Sequence, residues 1–364
     1  MSKVSLCMIV RNEEIMLEKS LASIVDIADE IIIVDTGSTD RSLEIAKKFT
    51  DKVYHFDWID DFATARNYAQ SLASQKYILR WDADCLLRPG DMKKLLDAKA
   101  KDFLHSDLYF MNYVEGFEID SNNNYQVAIK ESLFFFYKRQ YFHWKHPIHE
   151  ELLGNDVSFK PKIVTDDDIY VMHHRKESKK DWRTKQNLDI LKHNLKPNSK
   201  NYERILYFYA RELYFDSQYN EAIKYYKKLL KLSTTVDIKA YVLEKILFSL
   251  FYQDAYDRII EFVNDLEAIK HSRITLLKAD ISCLLDPLRA KIYYLEYLEN
   301  PFEYSFNSFE YDVERFEIHP YIQLGKLSIH ESKVDEAKKY LNIALNKKCS
   351  TTTLTKIKAL LKFC

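Results

Sequence analysis

The sequence predicts an α/β domain with a mostly parallel sheet, followed by an all-α domain of stacked helix pairs. Three observations carry this expectation. Short apolar runs alternate with helix-period segments through the first half, most clearly at Val4–Val10, Glu30–Val34 and Tyr77–Trp81. Strand signals stop near residue 175. Beyond that point aromatic and small residues recur at helical spacing, as in Tyr207, Ala210, Leu213 and Tyr214, then Tyr219, Ala222, Tyr226 and Leu229. A chain of 364 residues suits about two domains. The expected boundaries are 1–177 for the α/β domain, 178–200 for a connecting helix and 201–364 for the helical domain.

Composition narrows the function classes. With 47% hydrophobic residues there is ample material for buried cores, and 5 Gly and 7 Pro are too few for long linkers or turn-rich β folds. A net charge of -1 gives no global attraction to nucleic acid or to an anionic membrane. The five cysteines are scattered, odd in number and without a CxxC pair, which points away from a disulfide framework or a zinc site and fits a reducing compartment. Met1-Ser2-Lys3 leads directly into a strand-like run, unlike a signal peptide. No apolar run approaches the roughly 20 residues that span a bilayer. The expectation is a cytoplasmic protein without a transmembrane segment.

In chain order, Val4–Val10 reads as a strand buried on both faces and ends at Arg11-Asn12-Glu13-Glu14. Ile15–Val25 has helical spacing. The strand Glu30–Val34 stops at the turn Asp35–Asp40, where Ser38 or Thr39 can cap a helix over Arg41–Phe49. A short strand at Lys52–Phe56, a helix at Phe62–Ala73 and the strand Tyr77–Trp81 follow, then a helix at Asp91–Ala100. Leu108–Val114, Tyr125–Ile129, Leu133–Tyr137 and Ile169–His174 read as further strands, with an Asn-rich turn at 121–124. In a parallel sheet ligands bind beyond the carboxyl ends of the strands, which is where Asn12, Glu13, Asp35, Asp82 and Asp84 fall. Asp82 and Asp84, two apart, are expected side by side at a strand end. Such adjacent carboxylates call for a shared cation; a solvated acidic loop is the plainer alternative. In the second half, Ser178–Asn194 reads as the connecting helix and Arg204–Leu232 as a tetratricopeptide-like pair. A second such pair begins at Tyr321 and Gly325 and continues to Val334, Ala337, Tyr340 and Ala344. Looser helical pairs at Ala240–Leu266 and Thr275–Leu298 give about four irregular repeats.

Four segments, CMIVRNEE, IIIVDTGSTDRS, FATARNYA and ILRWDADC, occur in this order. Together they resemble the nucleotide-sugar-binding half of a family 2 glycosyltransferase of the GT-A fold, over residues 3–175. The resemblance implies a GT-A (Rossmann-like) catalytic domain that takes a UDP-sugar and a divalent metal. It implies that Asp35 contacts uracil or ribose, that Asn12 and Glu13 line the base pocket beside Val10 and Ser38, and that Asp82 and Ala83 lie near the ribose. Asp84 is then the metal ligand, joined by His173, with His174 as the fallback. Imidazole suits Mn²⁺ better than Mg²⁺, so either ion is expected with a mild preference for Mn²⁺. Arg66 faces the site and offers its fork to phosphate; a surface helix arginine is the alternative.

The segment Phe142–Glu151 resembles the family's loop ending in His-Glu, with Lys145 or His146 standing where that loop has glycine. It makes Glu150 the first candidate for catalytic base and His149 the second, against a purely structural His149–Glu150 pairing. A catalytic half of this kind followed by helical repeats resembles the peptide S/O-glycosyltransferases of glycosylated bacteriocins, the sublancin type. The activity implied is inverting transfer of a hexose, glucose first, from a UDP-sugar to Cys or Ser of a precursor peptide. The helical half would bind peptide or form a homodimer. Two alternatives stay open: a surface polysaccharide or lipooligosaccharide acceptor, and a non-catalytic repeat scaffold with a vestigial GT-A half.

Overall fold

In a computed structural model the chain divides into two compact units, residues 1–116 with 130–177, and residues 117–129 with 178–364. The structure describes residues 3–119, 125–156, 158–174, 180–233, 235–303, 311–347 and 349–364. The turn expected at 121–124 and the start of the connecting helix lie outside them.

The first unit is built on a mixed, mostly parallel sheet. Its elements are β1 (Val4–Val10), α1 (Leu17–Ile24), β2 (Glu30–Asp35), α2 (Ser42–Ala46), β3 (Val53–His55), α3 (Phe62–Ser71), β4 (Tyr77–Arg80), β5 (Cys85–Leu87), α4 (Met92–Ala100), β6 (Leu108–Ile119), β7 (Tyr125–Lys138), β8 (Phe142–Lys145), β9 (Glu151–Gly154) and β10 (Ile163–His173). The main sheet runs β3-β2-β1-β4-β7-β6-β10-β5. The pairs β3/β2, β2/β1 and β1/β4 are parallel, so these four strands present their carboxyl ends at one edge. Their registers align Val10 with Asp35 and Asp35 with His55. β1 and β2 are almost wholly buried, in keeping with their continuous apolar sequence. Val4, Leu6, Ile33, Tyr77, Leu79 and Trp81 are fully buried in one core on the sheet.

Four differences from the sequence expectation stand out. β4 ends at Arg80, so Asp82 and Asp84 sit in a turn closed by the Cys85 amide donating to the Asp82 carbonyl at 3.0 Å. The strands expected at 125–129 and 133–137 are one long strand, β7. The loop expected at 142–151 contains β8, which pairs antiparallel with β9 in a separate two-stranded sheet. Helix α2 is five residues long, and Asp40, rather than Ser38 or Thr39, accepts from its first amide, that of Ser42, at 2.9 Å.

The second unit contains α5 (Lys180–Asn194), α6 (Tyr202–Phe215), α7 (Tyr219–Leu232), α8 (Val236–Phe251), α9 (Val263–Ala268), α10 (Ser272–Leu285), α11 (Pro287–Glu299), α12 (His319–His330), α13 (Val334–Leu345) and α14 (Thr351–Leu361). The pairs α6/α7, α10/α11 and α12/α13 are helical hairpins packed along their lengths. After α8 a 3₁₀ segment at Tyr256–Phe262 and the short α9 replace a full second helix, which is why that repeat reads loosely in the sequence. α8 is buried nearly all round. It carries Glu244, paired with Arg273 of α10 at 2.5 Å and with Arg315 at 3.7 Å. Arg315 lies in a π-helical turn, Glu314–Ile318, that leads into α12. Among the described residues no helix is long and apolar enough to cross a membrane.

Candidate active site

The site forms where β1, β2 and β4 end. The loops after β1 and β2 are tied to each other. The Asn12 amide donates to Ser38 Oγ at 3.0 Å, and the Thr39 amide donates to Asn12 Oδ1 at 2.7 Å. The Glu13 amide donates to Ser42 Oγ at 2.7 Å, and Glu13 is buried. Asn12 is in the left-handed region at φ 54°, which Asn tolerates better than most residues. Asp35 folds its carboxylate back on its own turn, accepting from the amides of Gly37 at 3.0 Å and Ser38 at 3.1 Å. Gly37, at φ 99°, allows that turn. The Val10 carbonyl accepts from the Thr36 amide at 2.9 Å, which fastens the end of β1 to β2. Val10, Asn12, Glu13, Asp35 and Ser38 therefore lie together at the ends of β1 and β2.

The two aspartates of WDAD part company. Trp81 is fully buried and donates from Nε1 to Ser20 Oγ at 3.0 Å, while Ser20 Oγ donates to the Asp82 carbonyl at 3.1 Å. This anchor fixes the turn. Asp82 then faces Arg66 Nη2 at 2.8 Å and Arg80 Nη2 at 2.7 Å. Burial alone would raise its pKa, but Arg66 and Arg80 outweigh it and hold the carboxyl far below the usual range. The pair expected at a strand end thus lies in a turn instead, and arginines supply the cation for Asp82, with His173 acting on it as well. Asp84 turns instead to His173, with Oδ2 3.3 Å from Nε2. Antiparallel pairing of β5 with β10 aligns His173 with Cys85, and the His174 amide donates to the Asp84 carbonyl at 2.9 Å. Ala83 between them is buried in the core.

Arg66 is the centre of the cluster. It projects from α3, whose first turn is capped by Asp61 accepting from the Thr64 amide at 2.9 Å. Its Nε donates to Glu150 Oε1 at 2.5 Å while Nη2 holds Asp82. The expectation that its fork is turned to phosphate is corrected as well, since two carboxylates engage it. The guanidinium lies 5.1 Å from the centre of the Trp144 ring, and that of Arg80 lies 6.0 Å away. Asn67, next to Arg66, pins Trp144 through two 2.8 Å bonds to its backbone. Burial pushes the Glu150 carboxyl up, but Arg66 and Arg80 pull harder, so it sits below its ordinary value. His149 takes φ 49° and His146 φ 76°. Both lie in the left-handed region that glycine adopts most easily. Sequence reasoning missed Arg80 and Trp144. Arg80 precedes Asp82 by two, the same spacing that was read for Asp82 and Asp84, and could have been found from it.

The fit of a divalent ion rests on Asp84 and His173. Ligands in cis positions on an octahedral ion lie about 3 Å apart, and a Mg²⁺-like ion takes only one or two protein groups when phosphates and water complete it. The 3.3 Å separation of one carboxylate and one imidazole suits that arrangement. Among the described residues no group of three or more His, Cys, Asp or Glu is placed to enclose an ion.

Residues 5–154 match the family model described as Glycosyl transferase family 2. A prophage-derived glycosyltransferase of Bacillus subtilis, SunS, is 28% identical over 224 residues, covering 60% of this chain and 51% of SunS. A TPR repeat-containing protein of Synechococcus elongatus is 51% identical over 84 residues, 23% of this chain and 21% of that protein. The chain thus spans about half the length, or less, of these two curated relatives. Among solved structures, residues 1–349 of Staphylococcus aureus TarS with UDP-GlcNAc align over 83% of this chain and 94% of that one, at 16% identity and a TM-score of 0.35.

Proposed function

From a chain whose residues 5–154 form a family 2 glycosyl transferase domain, we infer transfer of a hexose, glucose first, from a UDP-sugar to a Cys or Ser side chain of a peptide, with inversion at the anomeric carbon. The observation that carries this reading is the meeting of three groups at one sheet edge: the tied loops around Asn12 and Asp35, the Asp84–His173 pair, and the Arg66–Glu150 pair. The loops would hold the uridine, with the Asp35 turn already braced by its own amides. Asp84 and His173 would hold Mn²⁺ or Mg²⁺, which when bound supplies positive charge against the diphosphate.

Glu150 would take the acceptor proton. As the acceptor oxygen or sulfur bonds to the anomeric carbon, the bond from that carbon to the diphosphate oxygen breaks, and its electron pair leaves with UDP. Arg66 keeps Glu150 ionised at neutral pH and makes it a weak base. A thiol, already partly thiolate near neutrality, asks less of such a base than a hydroxyl does. The helical-repeat unit supports a peptide acceptor, because stacked helix pairs offer extended surfaces for chain segments.

A panel of UDP-sugars with Mn²⁺, read by UDP release and then by intact mass of Cys- and Ser-containing peptides, tests the reading. One sugar is expected to give turnover and a matching mass gain. Sugar transfer to a lipid-linked glycan with no peptide gaining mass would replace the acceptor, and no UDP release with any sugar would refute the activity. Asp84→Ala is expected to lower UDP release by about 100-fold or more with an unchanged circular dichroism spectrum. Wild-type activity that survives EDTA would remove the metal from the proposal.

A further inference from the structure

The second unit carries an aliphatic stripe on its surface that no described part of the chain covers. Leu284 is 58% exposed, Leu285 79%, Leu288 70%, Ile292 63% and Leu295 39%. The first two end α10, and the last three recur on α11 at i, i+4 and i+7, within about 60° of one another around the helix. The opposite side of α11 is already used: Ala290, Tyr294 and Tyr297 are buried in the unit's core. Together the five residues present roughly 500 Å² of apolar surface, near the upper end for the largest patch on a monomer.

The charges beside the stripe point to its occupant. Lys291, on one flank, is neutralised within the chain by Glu331 at 2.7 Å and Glu336 at 2.9 Å. On the other flank Arg289 and Glu296 are both exposed. Seven residues separate them, about 10 Å along a helix, too far to pair with each other. Two α11 helices packed antiparallel about a two-fold axis bring the same flank of each copy together. With the axis midway between positions 289 and 296, beside Ile292, Arg289 of either copy comes level with Glu296 of the other. Leu288 then meets the region of Leu295 across the axis. A stripe that is apolar along its middle, with opposite charges placed symmetrically about its centre, is self-complementary, as an isologous interface requires.

We propose that the α10/α11 hairpin is a homodimer surface whose occupant is the same hairpin of a second copy of this chain. Face-to-face pairing would bury at most about 1,000 Å² of apolar area, the lower limit for a biological interface and suited to a dimer of modest affinity. The inference stands apart from the glycosyl transfer reading and is tested without activity.

Sedimentation velocity of the full chain across about 0.5–50 μM is expected to show a dimer. Ile292→Glu, which sets two carboxylates at the axis, is expected to weaken it about 100-fold or more. Arg289→Glu and Glu296→Arg are each expected to weaken it about tenfold, and the double variant to restore it, because the pairs are reversed together. Both positions are exposed, so the charge series stays informative even if Ile292→Glu misfolds. A wild-type chain that is monomeric throughout overturns the proposal and leaves the stripe to some other partner. A dimer indifferent to Ile292→Glu, or a double variant no better than the singles, overturns it as well.

Discussion

Asp82 and Asp84 are the same residue two positions apart, and their neighbours give them different work. Asp82 is clamped by Arg66 and Arg80 over the face of Trp144, while Asp84 stands with His173. The four charges of Arg66, Arg80, Asp82 and Glu150 cancel formally, which is how they tolerate partial burial together. Glu150 draws its low proton affinity from this cluster, and the consequence is measurable. Glu150→Gln keeps the shape and removes the proposed proton acceptor. Transfer to a Ser peptide is expected to fall about 100-fold, and transfer to the matched Cys peptide less than about tenfold. Turnover with the two peptides checks this. Equal losses on both would assign Glu150 to holding Arg66 rather than to taking a proton.

Elements set which of these residues can meet. The antiparallel pairing of β5 with β10 brings a histidine at position 173 beside an aspartate at position 84. In the helical unit, α12 crosses α13 at Gly325, where an added Cβ would come 2.7 Å from the Leu341 side chain. Glycine in a helix costs about 1 kcal/mol relative to alanine, so its presence here answers to close packing. Gly325→Val is expected to destabilise the chain by about 1–3 kcal/mol, read as a lower denaturant midpoint. Unchanged stability would show that the α12/α13 contact can widen without loss.

At the scale of the molecule, both units rely on ionised carboxylates. In the first unit burial pushes Asp29, Glu30, Asp82 and Glu150 upward, yet Lys99, Lys52 and the two arginines prevail, with Glu30 held at about 2. In the second unit Asp280, beside Arg315 and His319, and Glu314, bonded to Thr353 and Ser350, are likewise lowered against their burial. A carboxyl whose folded pKa lies below its unfolded value adds stability above the unfolded value, and that stability is lost as pH falls through the folded one. The melting temperature is therefore expected to be nearly flat from about pH 5 to 7 and to drop steeply below about pH 4. Thermal melts across that range check it, and a melting temperature that rose on acidification would contradict the account.

The sequence by itself determined the alternation that makes the sheet, the strand ends where polar residues gather, and the helix pairs at Tyr207–Leu229 and Tyr321–Ala344. These are local, because periodicity and the motifs are properties of neighbouring residues. It also placed Asn12 and Asp35 at one edge, since parallel strands share a direction, whereas Asp84 and His173 meet through the antiparallel pairing of β5 with β10. Only the tertiary structure decided the partners. That Arg66, from a helix, would span Asp82 and a glutamate 84 positions further on depends on where β8 and its loop pack against α3. Trp144 is placed by Asn67 across 77 residues, a distance no spacing rule reaches. The same holds for the exposed stripe on α11. The sequence gives that segment only a loose helical rhythm, and the packing of Ala290, Tyr294 and Tyr297 on the opposite face decided which of its apolar residues stay outside.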